Sequence, residues 1–317
     1  MARARVRIDM NVRVLFSFAI LGSFLTGCGG GSPKQADVSP LAGNWLITGP
    51  MPTYSFTPPG TGVFSLAMSF DVSGDNITAS AYGSGFCESN VSPPVYNAAF
   101  SFDALTTGVI AADGSFSLQT PQNITSYSLS IQGSVPKMNA EQFPGTYAAS
   151  FNSPTGAPGT PCVGNSAGMF TATSFPIVSG VYSGMGKFQS VTNGVPTVTP
   201  VTIEATLQQG ATVLDSATGI STASNVAIGG TIRVQGVSCF TSGVADTTVL
   251  HPGMEPFSSI QGNVMRMNFK MDDGSTLGMF GVLTDSTEGH ISASFSVAPG
   301  GCGAGSSIFP AVDLTRQ

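Results

Sequence analysis

Four stretches of this chain alternate apolar and polar residues with a period of two. Phe64, Leu66, Met68 and Phe70 alternate with Ser65, Ala67 and Ser69. Val201, Ile203, Ala205 and Leu207 alternate with Thr202, Glu204 and Thr206. Met265, Met267, Phe269 and Met271 alternate with Arg266, Asn268 and Lys270, and Ile291, Ala293, Phe295 and Val297 with Ser292, Ser294 and Ser296. That period sends successive side chains to opposite faces of a pleated strand and does not suit a helix. One dry and one wet face suits antiparallel sheets. Between such runs sit Ser73-Gly74-Asp75-Asn76, Asp113-Gly114, Asn193-Gly194 and Asp273-Gly274, which supply the positive φ of tight hairpins. With 40 Gly and 21 Pro spread along the chain, long helices have little room; only Ala140 to Phe143 could make a single turn. The expected class is all-β.

The chain also resembles itself. Gly145-Thr146-Tyr147-Ala148-Ala149-Ser150-Phe151 matches Gly289-His290-Ile291-Ser292-Ala293-Ser294-Phe295. A Pro/Gly-rich loop and a cysteine follow each, at Cys162 and Cys302, and an Asp-Gly-Ser turn precedes each, at Asp113 and Asp273. Earlier come a glycine-rich approach to a cysteine (Cys87, Cys239) and a Gly-x-aromatic start, Gly43-Asn44-Trp45 and Gly180-Val181-Tyr182. The order predicts two tandem antiparallel units, 39–176 and 177–317. Each has room for seven or eight strands and is a β-barrel or a β-sandwich; the alternative is one large sandwich.

The N-terminus has a different character. Arg3, Arg5, Arg7 and Arg13 precede an apolar run from Val14 to Leu25, broken by Ser17, Gly22 and Ser23. The run is too short for a membrane span, which needs about 20 apolar residues, and reads as a signal peptide; Met10 serves as well as Met1 for its start. Leu25-Thr26-Gly27-Cys28 follows and resembles the lipobox of bacterial lipoproteins. The resemblance covers the leader alone. It implies that residues 1–27 are removed and that Cys28 becomes the first residue, carrying a thioether-linked diacylglycerol. Residues 28–38, beginning Cys28-Gly29-Gly30-Gly31-Ser32-Pro33, then form a flexible tether. Two or three acyl chains suffice for stable anchoring, which one chain does not give. Gly29 occupies the place where that family carries an inner-membrane retention Asp, so the resemblance favours the outer membrane of the cell envelope, on its periplasmic or surface face.

The leader holds four of the 11 Lys and Arg residues and one of the 17 Asp and Glu. The remaining body, with seven against sixteen, carries a net charge of about −9 with His neutral. That excludes nucleic acid as a partner, because binding it needs a cationic surface, and argues against docking on anionic lipid. Apart from Cys28 there are four cysteines, Cys87, Cys162, Cys239 and Cys302. In an oxidising compartment these make two disulfides in one of three connectivities. The repeat favours Cys87–Cys162 and Cys239–Cys302, one bridge per unit. None of the four lies close enough to another to suggest a zinc site.

The candidate chemistry is sparse. Gly164-Asn165-Ser166-Ala167-Gly168 fits G-x-S-x-G, with Asp246 and His251 after it in the order of α/β-hydrolases. That motif needs a strand, a sharp turn and a helix, whereas a strand-like run follows here; a serine hydrolase is a distant alternative. His251 and His290 are the two histidines, both expected in solvent, and neither has partners spaced for a metal. Asp71, Asp75, Asp272 and Asp273 are expected to serve hairpin turns. Met265, Met267, Met271 and Met279 cluster around one hairpin; they pack a core or line an adaptable apolar ligand site. Gly43-Asn44-Trp45 is similar to the Gly-x-Trp of lipocalins, three residues that would imply a barrel carrying a small apolar ligand. No catalytic residue, metal or cofactor is assigned. The expected function is a lipid-anchored cell-envelope protein in a non-enzymatic interaction or structural role, contacting the membrane through its lipid and an envelope protein or glycan through its body. Lipocalin-like binding of a small apolar ligand is the alternative.

Overall fold

The computed structural model describes residues 37, 39–51, 62–88, 96–121, 127–153, 162–192, 195–250, 255–285, 289–298 and 307–317. The leader, Cys28 and the tether up to Ala36 lie outside them. Among the described residues the regular structure is β-strand, apart from one 3-10 turn at Ser39–Leu41.

The first eight strands are β1 (Gly43–Met51), β2 (Gly62–Ser73), β3 (Asn76–Glu88), β4 (Tyr96–Ile110), β5 (Ser115–Gln119), β6 (Tyr127–Ser134), β7 (Gln142–Ser153) and β8 (Cys162–Phe175). They form a closed antiparallel barrel in sequence order, with β8 returning to β1. Its inward positions are the apolar phase of the alternation: Ile47, Leu66, Met68, Phe70, Leu118 and Ile131 are all buried. Where β1 begins, Trp45 donates its ring N–H to the Leu41 carbonyl at 2.9 Å and meets Phe143 edge-on at 4.7 Å. Phe143 in turn meets Phe116 and Phe170, each at 6.0 Å. These T-shaped contacts satisfy the ring quadrupoles and close that end of the barrel. Phe143 therefore belongs to strand β7 and not to the helical turn expected at Ala140 to Phe143. The ring's place in the core outweighs a short helical preference.

The second half supplies β9 (Ser179–Thr192), β10 (Val195–Gln209), β11 (Thr212–Asp215), β12 (Ser221–Ala223), β13 (Ile228–Gln235), β14 (Ser242–Ala245), β15 (Thr248–Val249), β16 (Ser259–Gln261), β17 (Val264–Met271), β18 (Thr276–Leu283), β19 (Ile291–Ala298) and β20 (Ser307–Arg316). Eight of these run in the order β14-β13-β10-β9-β20-β19-β18-β17, and β14 pairs with β17 to close a second antiparallel barrel. Strand β16 adds to β17 below that closure, and β11, β12 and β15 form a small separate sheet. The architecture is thus two tandem eight-stranded antiparallel barrels.

The repeat is visible in the backbone. Gly43 and Gly180 both have φ of 121°, a conformation costly for any residue with a Cβ, and Trp45 and Tyr182 that follow are both buried. The matched blocks at Gly145 and Gly289 enter the seventh strand of each barrel, β7 and β19. One pairing from the sequence differs. Asp113 and Asp273 each accept hydrogen bonds from the backbone and hydroxyl of the serine two residues on, and Gly114 and Gly274 share φ of 84°. Yet the first turn joins β4 to β5 at the end where β1 begins. The second joins β17 to β18, the fifth and sixth strands, at the end opposite the start of β9. The likeness is local turn chemistry, which any hairpin can use.

Residues 35–317 form one compact unit, and the joint between the barrels explains why. Ala67, Ser69 and Ser80 point away from the first barrel's core, yet they are 3%, 0% and 0% exposed. The β16–β17 hairpin of the second barrel covers them. At its tip Gly262, with φ of 56°, lies so close that a Cβ would stand 2.4 Å from the Trp45 carbonyl oxygen and 2.6 Å from the Met68 nitrogen. Its N–H donates to Ser69 Oγ at 3.0 Å, and Ser69 donates to Asn44 Oδ1 at 2.7 Å. Asn44 and Gln209 exchange amide hydrogen bonds at 2.8 and 2.9 Å. Gln209 also receives the Val178 N–H and donates to the Asn225 carbonyl. Nearby, Gln261 donates to Ser80 Oγ, and Ser80 to Glu255. Asp71 accepts from Ser224 Oγ at 2.8 Å and the Asn225 N–H at 2.9 Å, so it ties the barrels together and does not serve the turn expected of it.

We predict that Gly262→Val lowers the stability of the full chain by at least about 1–3 kcal/mol, since a β-branched side chain meets backbone that cannot yield. Urea unfolding of variant and wild type measures this; equal midpoints would show the contact to be loose.

Candidate functional site

The sequence candidates disperse in the structure. Met265, Met267, Met271 and Met279 all point into the second barrel, 0%, 1%, 5% and 2% exposed, and pack in one cluster with Phe269, Leu277 and Phe295. Their thioethers fill space between β17, β18 and the strands opposite. Truncating Met267 to Ala should cost about 2–5 kcal/mol of stability, and Met267→Leu less than about 1.5. Thermal unfolding distinguishes this from a ligand-lining role, in which truncation costs little.

Ser166 sits inside strand β8, opposite Ala149 on β7. No strand-turn-helix elbow forms, because strand continues on both sides of it. Asp246 follows β14 in the second barrel and His251 lies outside the described residues. Asp246 has another occupation: Lys270 Nζ is 2.9 Å from its carboxylate, and the Thr248 N–H donates to it at 3.0 Å. Partial burial pushes its pKa up, but the hydrogen bonds from Thr248 and Lys270 and the lysine charge outweigh this and hold it below the ordinary 3.8. A depressed carboxylate stabilises the fold above its unfolded pKa, and that contribution is lost as pH falls through the folded value. The stability advantage of wild type over Asp246→Asn should therefore be full at neutral pH and close below pH 3.8; melting curves across that range check it.

Asp272 accepts from the Thr241 N–H and hydroxyl, which hold its pKa down, and it clasps the loop after β13 to the end of β17. His290 is half-buried before β19. Cys239 is half-buried against the second core and disulfide-bonded. Cys87 and Cys162 lie on β3 and β8, and their side chains and Cys302 fall outside the description. Among the described residues no group of three or more His, Cys, Asp or Glu is placed to hold a metal ion.

What the sequence did not reveal is a groove of about 320 Å³ on the outer face of β17, β18 and β19. Strand register builds it. Arg266 lies opposite Phe280, and Phe280 opposite Ser294; one step along, Asn268 faces Gly278 and Gly278 faces Ser296. All six are on the polar phase of their strands. Gly278 makes the low point: a Cβ there would meet Ser296 Oγ at 2.9 Å and Asn268 Oδ1 at 3.6 Å. Met267, Met279 and Phe295 complete the floor from the core side. Asn268 donates its amide to the Phe257 carbonyl at 2.9 Å, which fixes the carboxamide. Phe280 is 39% exposed. The first barrel supplies a support: the Arg266 guanidinium lies 4.5 Å from the ring centre of Tyr82, and Tyr82 meets Phe280 edge-on at 6.3 Å. A cation on an aromatic face gains about 0.5–2 kcal/mol, so barrel docking orients the groove's cation. Chemically the groove offers a guanidinium, an aromatic face, hydroxyls and an amide. It presents no aligned nucleophile and base.

No family model and no curated protein matches the chain. Among solved structures it is similar to the crystal structure of kievitone hydratase from Nectria haematococca, at 10% identity over 91% of this chain and 95% of that one, with a TM-score of 0.21. A likeness at that level carries no argument about activity.

Proposed function

We propose that this chain is a lipid-anchored protein of the bacterial cell envelope, and that its two barrels are scaffolds whose recognition surface lies outside them. The observation that carries the second part is the packing of the described interiors. Trp45, Phe70, Phe116, Phe143 and Phe170 occupy the first barrel, and Phe269, Phe295, Tyr182 and the four methionines the second. Close packing among these described side chains leaves a ligand no volume between them. The exposed Phe280 ring lies instead on the outer groove, beside the half-buried Arg266 and Asn268. An interaction role fits that distribution better than carriage of an apolar molecule.

The anchor rests on the sequence. A basic leader, an apolar run and Leu25-Thr26-Gly27-Cys28 precede a Gly/Ser/Pro tether, and a body with a net charge of about −9 gains nothing from anionic lipid. Lipid on Cys28 therefore supplies the membrane affinity. In the oxidising envelope, Cys87–Cys162 and Cys239–Cys302 would each tie one barrel.

Cells expressing the chain should incorporate labelled palmitate into it, and Cys28→Ser should abolish both the label and recovery in the membrane fraction. Label retained in the serine variant, or absent from wild type, contradicts the anchor.

A further inference from the structure

We infer that β14 is a releasable stave of the second barrel, latched onto β17 by Asp246 at one end and Asp272 at the other, and that acid undoes the latch. The inference concerns how the scaffold closes, and it stands apart from the anchor and the interaction role proposed above.

Three observations carry it. First, β14 is the shortest strand of this barrel, with four residues. Gly243, Val244 and Ala245 pair with Met271, Lys270 and Phe269 on β17, and Ser242, Gly243 and Val244 pair with Arg233, Ile232 and Thr231 on β13. Each of the barrel's other seams pairs five or more residues of either strand.

Second, packing does little to hold this strand. The register sets Gly243 and Ala245 beside the buried Ile232, Phe269 and Met271, and it turns Val244 outward, where it is 59% exposed. Burial of apolar surface is the main force that holds a strand to a core, and a glycine with an alanine buries little of it. Met271 takes the space over Gly243: a Cβ there would stand 2.4 Å from the methionine sulfur. The core is thus filled from β17 at this point, and release of β14 would bare Phe269 and Met271.

Third, a carboxylate crosses the seam at each end. Just after β14, Asp246 meets the Lys270 ammonium of β17 at 2.9 Å, and its N–H donates to the Asn268 carbonyl at 2.8 Å. Just after β17, Asp272 accepts from the Thr241 N–H at 2.9 Å and from the Thr241 hydroxyl, and its N–H donates to the Ser242 carbonyl at 2.9 Å. The other charged groups around the seam are few. Arg233 faces Ser242 from β13 and lies opposite Glu204 of β10. Asp273 accepts from Ser275 within its own turn, Arg266 lies on Tyr82 further along β17, and β18 sets the uncharged Thr276 opposite Lys270.

Acid acts on both ends together. Partial burial raises the Asp246 pKa, but the hydrogen bonds from Thr248 and Lys270 and the lysine charge bring it below 3.8. The Thr241 hydrogen bonds hold Asp272 below the same value. A lowered carboxylate favours the folded contact above its unfolded pKa, and that contribution fades as pH falls through the folded value. Below pH 3.8 the seam is left with its short backbone ladder.

Hydrogen exchange read by mass spectrometry on the full chain in detergent tests this in two arms. One compares wild type with the double variant Asp246→Asn, Asp272→Asn at neutral pH. The other takes wild type from about pH 5 to about pH 3, with rates corrected for the intrinsic pH dependence of exchange. In both arms peptides spanning residues 241–246 and 268–272 should exchange at least about fivefold faster, the order left to charge-assisted contacts after solvent screening. Peptides from β9 and β10 should keep their protection. If the double variant does not fold, the acid arm decides. Unchanged exchange of residues 241–246 in a folded variant or in acid, or equal acceleration across the whole second barrel, would overturn the inference.

Discussion

Gly262 has no room for a side chain, and the joint between the barrels depends on that. With the β16–β17 hairpin pressed onto the backbone of β1 and β2, the outward residues Ser69 and Ser80 lose water and must find protein partners. They find them in Asn44, Gln261 and Glu255. An unmet buried polar group costs about 1–3 kcal/mol, so this network is stable only when both barrels are folded and in register. The reciprocal Asn44–Gln209 amides make the constraint directional, because each amide needs the other's donor and acceptor in one geometry.

The same joint shapes the outer surface. Tyr82 belongs to the first barrel, yet its ring supports Arg266 and touches Phe280 of the second. A groove built on three strands of one barrel thus borrows its orientation from the other. Two barrels, each with its own core, become one unit whose exposed chemistry neither would present alone.

Much of the architecture was legible in the chain. The alternation in β2, β10, β17 and β19 named their inward residues, and the Gly-x-aromatic starts marked the first strand of each barrel, where both glycines take the same positive φ. The joint was not legible. Ala67, Ser69 and Ser80 occupy the polar phase, and a period of two says only which side of the sheet they take, not whether water or a second barrel lies there. Asp71 read as a turn residue for the same reason. The Asp-Gly-Ser match misled because hairpin chemistry is set by four residues and carries no memory of which strands it joins. The groove was hidden more deeply. It needs the pairing of Arg266 with Phe280 and of Gly278 with Ser296, and register between strands is not written in any one of them.

The central claim is that the two barrels unfold as one body. Trp45 is the single tryptophan of the chain and is buried in the first barrel beside the joint, whereas far-ultraviolet circular dichroism reads the strands of both. Wild-type protein unfolded in urea and followed by Trp45 fluorescence and by circular dichroism should give superimposable transitions with one midpoint. A tryptophan transition that separates from the circular-dichroism curve would show that the barrels fold independently and that the buried amide network does not couple them.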